Sequence, residues 1–136
     1  MMRLACNRLL PLLLLCPLLT ACANTGSKSS PAAHQAAINH VVLIRLINPE
    51  DTGELLRDNE RLLGAIPSVR TFWSGTPLDI GRGAPVDGDY TVGLCVGFDD
   101  VEGYNAYLVA PEHVELVEKW KPRWNGVRIF DVVTPN

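Results

Sequence analysis

Apolar and polar residues recur along this chain with two different periods, and the switches between them mark its elements. From Ile38 to Ile47 the period is two. His40, Val42, Ile44 and Leu46 share one side, and Val41, Leu43, Arg45 and Ile47 the other. Both sides of this expected strand are mostly apolar, so both should be covered. Arg45 is the exception and has to reach a partner or water. Asn48-Pro49-Glu50-Asp51 then reads as a helix start: a capping side chain, a proline at the first position, and acids near the positive end of the dipole. Leu55, Leu56, Leu62, Leu63 and Ile66 follow at helical spacing until Pro67.

Val69 to Ser74 predicts a short second strand, followed by a loop from Gly75 to Gly88 rich in Gly and Pro. Asp89 to Phe98 has the cleanest alternation in the chain. Tyr90, Val92, Leu94, Val96 and Phe98 fall on one side, and Thr91, Gly93, Cys95 and Gly97 on the other. The large side suits a core under helices, and the small side suits close approach of another backbone. Asp99-Asp100-Val101-Glu102 opens the next helix in the manner of a capping box. Pro111 breaks that helix and starts a second one, which carries His113, Leu116, Val117, Trp120 and Trp124 on a single face. Pro122 and Gly126 end it, and Val127 to Val133 is the last strand. The order strand, helix, strand, strand, broken helix, strand predicts an α+β ferredoxin-like fold: a four-stranded antiparallel sheet with helices on one face. The bare opposite face predicts a homodimer with sheets facing.

Composition narrows this only a little. The chain has 136 residues, 47% hydrophobic and 20% charged, enough for one domain. A net charge of −3 supplies no basic footprint for nucleic acid. The first residues change the picture more. Arg3 and Arg8 precede an apolar run from Leu9 to Leu19. At about 1.5 Å per residue that run is too short for a bilayer core of about 30 Å. It ends in Leu19-Thr20-Ala21-Cys22, which resembles a bacterial lipobox. The expectation is a signal peptide over 1–21 and lipid attachment at Cys22, with 22–37 as a flexible tether. Ala23 stands after the cysteine where inner-membrane retention usually uses Asp, so the segment resembles that of an outer-membrane lipoprotein facing the periplasm, in a cell that has an outer membrane. Cys6 and Cys16 depart with the signal and Cys22 carries lipid. Cys95 is then the remaining thiol, which leaves no intrachain disulfide.

Candidate chemistry concentrates on His113, with Tyr107 upstream of it. A helix-packing histidine bonded to backbone is one reading, and a pocket residue is the other. His40 and His113 are both expected to point into the layer between sheet and helices, because the other side of the first strand is assigned to the dimer. Trp120 shares the helix face of His113 and is expected to line a ligand pocket there. The three histidines (one in the tether), with no HExxH or CxxC, indicate no metal site. No Ser–His–Asp arrangement is legible, and Gly81-Arg82-Gly83 lacks the context of a phosphate loop.

Residues 38–135 resemble the stress-responsive A/B barrel (Dabb) domain family. The resemblance rests on His40-Val-Val-Leu-Ile-Arg-Leu46, the Ile66-Pro-Ser-Val69 turn, Tyr90 to Phe98, Tyr107-Leu-Val-Ala-Pro-Glu-His113, and the closing Ile129-Phe-Asp-Val-Val-Thr-Pro135. It implies sheet-to-sheet dimers that form an α+β barrel. By resemblance to the family's plant polyketide cyclases, it further implies chemistry without metal or organic cofactor. His113 would act as acid/base, Tyr107 would assist it, and His40 would line the pocket. The chain departs from those cyclases at Ala110 and Val92, where they carry histidines; by its matching position Val92 would still line the ligand pocket. Three readings stay open at this stage: a cyclase- or lyase-like enzyme, a binder of a small apolar or carbonyl-bearing ligand, and a structural envelope protein.

Overall fold

The computed structural model describes residues 35–84 and 86–134. The expected signal peptide, Cys22 and most of the tether lie outside the described residues. Strand β1 (Ile38–Leu46) stops one residue before its expected end, and Ile47 is exposed. Asn48 caps the following turn through its side chain, which accepts from the Glu50 N–H at 3.2 Å. A 3-10 turn (Pro49–Asp51) leads into α1 (Thr52–Asp58), whose continuation widens into a π turn (Asn59–Leu63). The single helix expected as far as Ile66 is thus three successive windings that bury Leu55, Leu62 and Leu63. Strand β2 (Thr71–Gly75) and strand β3 (Val92–Phe98) follow. Helix α2 (Val101–Leu108) and helix α3 (Pro111–Trp120) meet at the Pro111 break. Asp100 alone caps α2, accepting from the Gly103 N–H at 2.8 Å. Glu102 takes no part, so the expected capping box is a simple cap. A 3-10 turn (Lys121–Arg123) ends in strand β4 (Trp124–Val133).

The sheet order is β2-β3-β1-β4, and every neighbouring pair is antiparallel. This is the expected four-stranded ferredoxin-like sheet. On the helix side His40, Val42, Ile44 and Leu46 of β1 are buried with Leu94, Val96 and Phe98 of β3. The core continues into Leu55, Leu63, Ile66, Tyr107, Leu116 and Trp120 from the helices. On the other side Trp73, Phe130 and Val132 are exposed. Arg45 is paired there, its guanidinium 3.1 Å from each carboxylate oxygen of Asp89.

Three expectations need correction. Tyr90 precedes β3 rather than opening it, and its ring covers Gly93 on the open side, not the core side. The small side of β3 is also filled by the chain itself: a methyl group on Gly97 would strike Thr71 and Ala36. Ala36 is therefore buried, and Ala37 accepts from the Thr134 N–H at 2.8 Å, so the packed domain begins inside the expected tether. Trp124 is the third correction. It belongs to β4, not to the face of α3.

Candidate functional site

The β1–β4 register sets the site. His40 stands directly opposite Asp131, and both lie on the helix side of the sheet. Among the inward positions of β4 the neighbours of Asp131 are apolar Val127, Ile129 and Val133, so its carboxylate needs a polar partner. It finds two. His40 Nδ1 is 2.7 Å from one carboxylate oxygen, and the Tyr104 hydroxyl donates to the other at 3.3 Å. The His40 side chain is buried while that of Asp131 is half exposed. A carboxylate can only accept, so Nδ1 of His40 carries the proton. Nε2, the other ring nitrogen, makes no hydrogen bond among the described residues.

His113 comes from the first turn of α3, just after the break that Pro111 creates. Its Nδ1 lies 3.2 Å from the Leu108 carbonyl at the end of α2. The carbonyl is again an acceptor, so Nδ1–H donates and Nε2 of His113 is also free. Burial depresses the His113 pKa, and the nearby His40 lowers it further, against an upward pull from the Leu108 carbonyl. The ring is thus neutral near pH 7. Tyr107 lies between the two histidines, with its ring centre 5.9 Å from His40 and 4.4 Å from His113. Burial pushes its phenol far above the ordinary tyrosine range, with Tyr104 adding to the effect. Tyr107 is therefore a hydrogen-bond donor at neutral pH and not a base. Burial also raises Tyr104, together with its Asp131 neighbour.

These groups line one cavity of about 380 Å³ between the sheet and the α2–α3 elbow. Its walls are otherwise mainly aliphatic, from Val42, Ile44 and Leu94 of the sheet to Leu116 and Val117 of α3. A few polar groups in an apolar cleft of this size match the usual form of a small-molecule site. The cavity brings together His40, Tyr107 and His113, as expected from their positions. Val92 and Trp120 are not part of its wall. Val92 is fully enclosed under the helices. Trp120 is fully enclosed as well, and its indole N–H donates to Asp58 at 2.9 Å. Burial alone would push the Asp58 carboxyl up. Its bonds to Lys119, Trp120 and Arg61 outweigh that and hold it below the usual range. Trp120 is thus an anchor between α3 and α1, not a ligand contact.

Sequence reasoning missed Asp131, Tyr104 and Trp124. Asp131 had a signal: it is the one acid on the inward side of an otherwise apolar strand. Among the described residues no three of His, Cys, Asp and Glu converge as a metal site. No helix among them is long and apolar enough to cross a membrane.

A model of the stress responsive A/B barrel domain matches residues 38–134. No curated protein shows significant similarity to the chain. Among solved structures, the chain is similar to a dabb family protein with a ferredoxin-like fold from Mesorhizobium loti. The two are 26% identical with a TM-score of 0.61, over 75% of this chain and 100% of that one. It is also similar to a dimeric ferredoxin-like protein of unknown function from Thermobifida fusca, at 21% identity and a TM-score of 0.61, over 74% and 93% of the two chains. A third is the hydroxynitrile lyase from Passiflora edulis, at 17% identity and a TM-score of 0.62, over 73% and 94%.

Proposed function

We propose, from the premise that the chain belongs to the stress responsive A/B barrel family, that its cavity receives a small, largely apolar ligand bearing a carbonyl or hydroxyl oxygen. The observation that carries this reading is the pair of imidazoles lining one cavity, one from the sheet and one from α3, each with Nδ1 committed to an acceptor and Nε2 left free. Such groups orient one oxygen of a ligand whose remainder contacts aliphatic walls. A homodimer is part of the reading. The exposed Trp73, Phe130 and Val132 on the bare side of the sheet support it, as does the dimeric Thermobifida fusca neighbour. So is a lipid anchor at Cys22, inferred from Leu19-Thr20-Ala21-Cys22.

Calorimetric titration with benzaldehyde and with toluene, its analogue without oxygen, tests the site. His113→Ala should weaken benzaldehyde by about 1–3 kcal/mol, the usual cost of removing one partner of a buried hydrogen bond. Toluene should bind the variant almost as well as the wild type. An equal loss for both ligands, or no binding of either to the wild type, rejects the reading. Cys22→Ser should leave uncleaved or soluble protein, whereas an unchanged membrane fraction and mature mass would reject the anchor.

A second reading is cofactor-independent lyase or cyclase chemistry. What favours it is a neutral His113 with a free Nε2 beside a phenol that stays protonated, an arrangement suited to moving one proton and donating to one oxygen. Mandelonitrile cleavage followed by benzaldehyde absorbance, present in the wild type and lost in His113→Ala, would select it.

A further inference from the structure

The β1–β4 ladder pairs Ile44 with Val127 and Arg45 with Gly126, and then Leu46 with Trp124. Asn125 is the extra residue, so β4 carries a bulge at its first turn of pleat. The bulge has a definite consequence. Without it, the period-two alternation would put Trp124 on the open side with Gly126 and Arg128. With it, Trp124 stands opposite Leu46, a buried residue of the helix side, and joins the cavity wall.

The indole so placed has an unmet requirement. Trp124 Nε1 is buried and has no hydrogen-bond partner. Trp120, by comparison, gives its N–H to Asp58. A buried indole N–H normally finds an acceptor, and leaving it unpaired is costly. The group can only donate. No Lys or Arg lines the cavity, and its one carboxylate is Asp131 at the His40 end. A charged acceptor would be buried at the Trp124 end without a counter-ion, so a neutral acceptor is favoured there.

From the bulge and the orphaned donor together, we infer that Trp124 Nε1–H is a second polar contact of the same cavity, and that its ligand is two-ended: an oxygen at the His40–Tyr107–His113 end and a neutral carbonyl at the Trp124 end. This rests on the ligand-binding reading above and narrows it. His40 and Leu46 are six residues apart on β1, roughly 20 Å along the strand. With side chains reaching in from both ends, the space between them suits a ligand on the order of 10 Å long. The N–H is covered in this structure, so a ligand carbonyl would reach it through a turn of the indole about its Cβ–Cγ bond, a broad and soft torsion.

Two ligands of one skeleton test the inference: 4-(4-hydroxyphenyl)butan-2-one, with a phenol and a ketone at opposite ends, and 4-butylphenol, which lacks the ketone. Binding is measured by calorimetry to the wild-type protein and to protein with 3-benzothienylalanine at position 124, a sulfur isostere that keeps the bicyclic ring but has no N–H. The isostere should weaken the ketone about five- to tenfold and change 4-butylphenol less than about twofold, the scale of one hydrogen bond. An equal change for both ligands overturns the inference and leaves the cavity reading standing. No binding of either ligand to the wild type overturns both. A second measurement needs no variant. The Trp124 indole proton resonance should move downfield when the wild type is saturated with the ketone and stay in place with 4-butylphenol. An unmoved resonance under ketone saturation also overturns it.

Discussion

The two sides of the one sheet have opposite fates. On the helix side Val42, Ile44, Leu46, Val92, Val96 and Phe98 are at most 8% exposed, closed off by α1, α2 and α3. On the other side Trp73, Phe130 and Val132 stay more than half exposed. The difference is not one of composition alone, since β1 is apolar on both sides. It comes from what the chain has left to cover each side. The helices are all committed to the first. The second is closed only at its middle, where Leu43 and Tyr90 fill the space beside Gly93, and Thr71 and Ala36 that beside Gly97. Its charges are already matched within the chain, Arg45 with Asp89 and Arg128 with Asp87. A second copy would therefore meet an apolar surface with a neutralised rim. The helix side, by contrast, is closed over β1 and β3 and open only along β4, where Val127 and Ile129 border the cavity and Val133 is exposed; in the cavity the polar groups are ordered by hydrogen bonds.

The largest effect that probes this contrast belongs to the closed side. Phe98→Ala removes a fully buried ring that packs on Tyr104 and Tyr107, with ring centres 5.4 and 5.1 Å away. It should lower stability by about 3–5 kcal/mol in urea unfolding, through lost burial and the cavity left behind. A loss under about 1 kcal/mol would mean that the aromatic cluster is not part of the core. On the open side Phe130→Asp should do the reverse, preserving the far-ultraviolet circular dichroism while breaking self-association. Sedimentation at micromolar concentration reads it: dimer for the wild type, monomer for the variant. A wild type that is itself monomeric removes the partner from the open side.

The smallest effect is a pH dependence confined to the cavity. In the unfolded chain His113 takes up a proton near its ordinary value of about 6.5. In the folded chain burial delays that uptake to lower pH. Above the ordinary value neither state is protonated and the residue contributes no pH dependence. Below it the unfolded state binds the proton first, so stability falls as pH falls. His113→Gln, which keeps a donor for the Leu108 carbonyl, should flatten the decline between pH 6.5 and pH 5 in thermal unfolding. An unchanged slope would show that His113 is not the group responsible.

Much of the fold was legible in the periodicities. The two sides of β1, the Asn48 cap, the Pro111 break and the order of elements along the chain all follow from local pattern and turn chemistry. The convergence of His40, Tyr107 and His113 was legible too, because each sits at an inward position of its own element. The errors fall where local pattern stops deciding. Trp120 and Val92 have the right facing for a pocket, but facing does not distinguish a wall from the packed interior behind it. Trp124 continues the helical spacing of α3, yet the Lys121–Arg123 turn ends that helix before it.

The sequence by itself therefore determined the elements, their inward sides and the histidines that share a layer. These depend on spacing within a few residues, which the backbone period converts directly into direction. Only the tertiary structure decided that Asp131 holds His40, that Leu108 offers its carbonyl to His113, and that a bulge at Asn125 turns Trp124 into the cavity. Each of those depends on register between segments far apart in the chain. A shift of one residue reverses the side on which a group lies, and no local pattern records it.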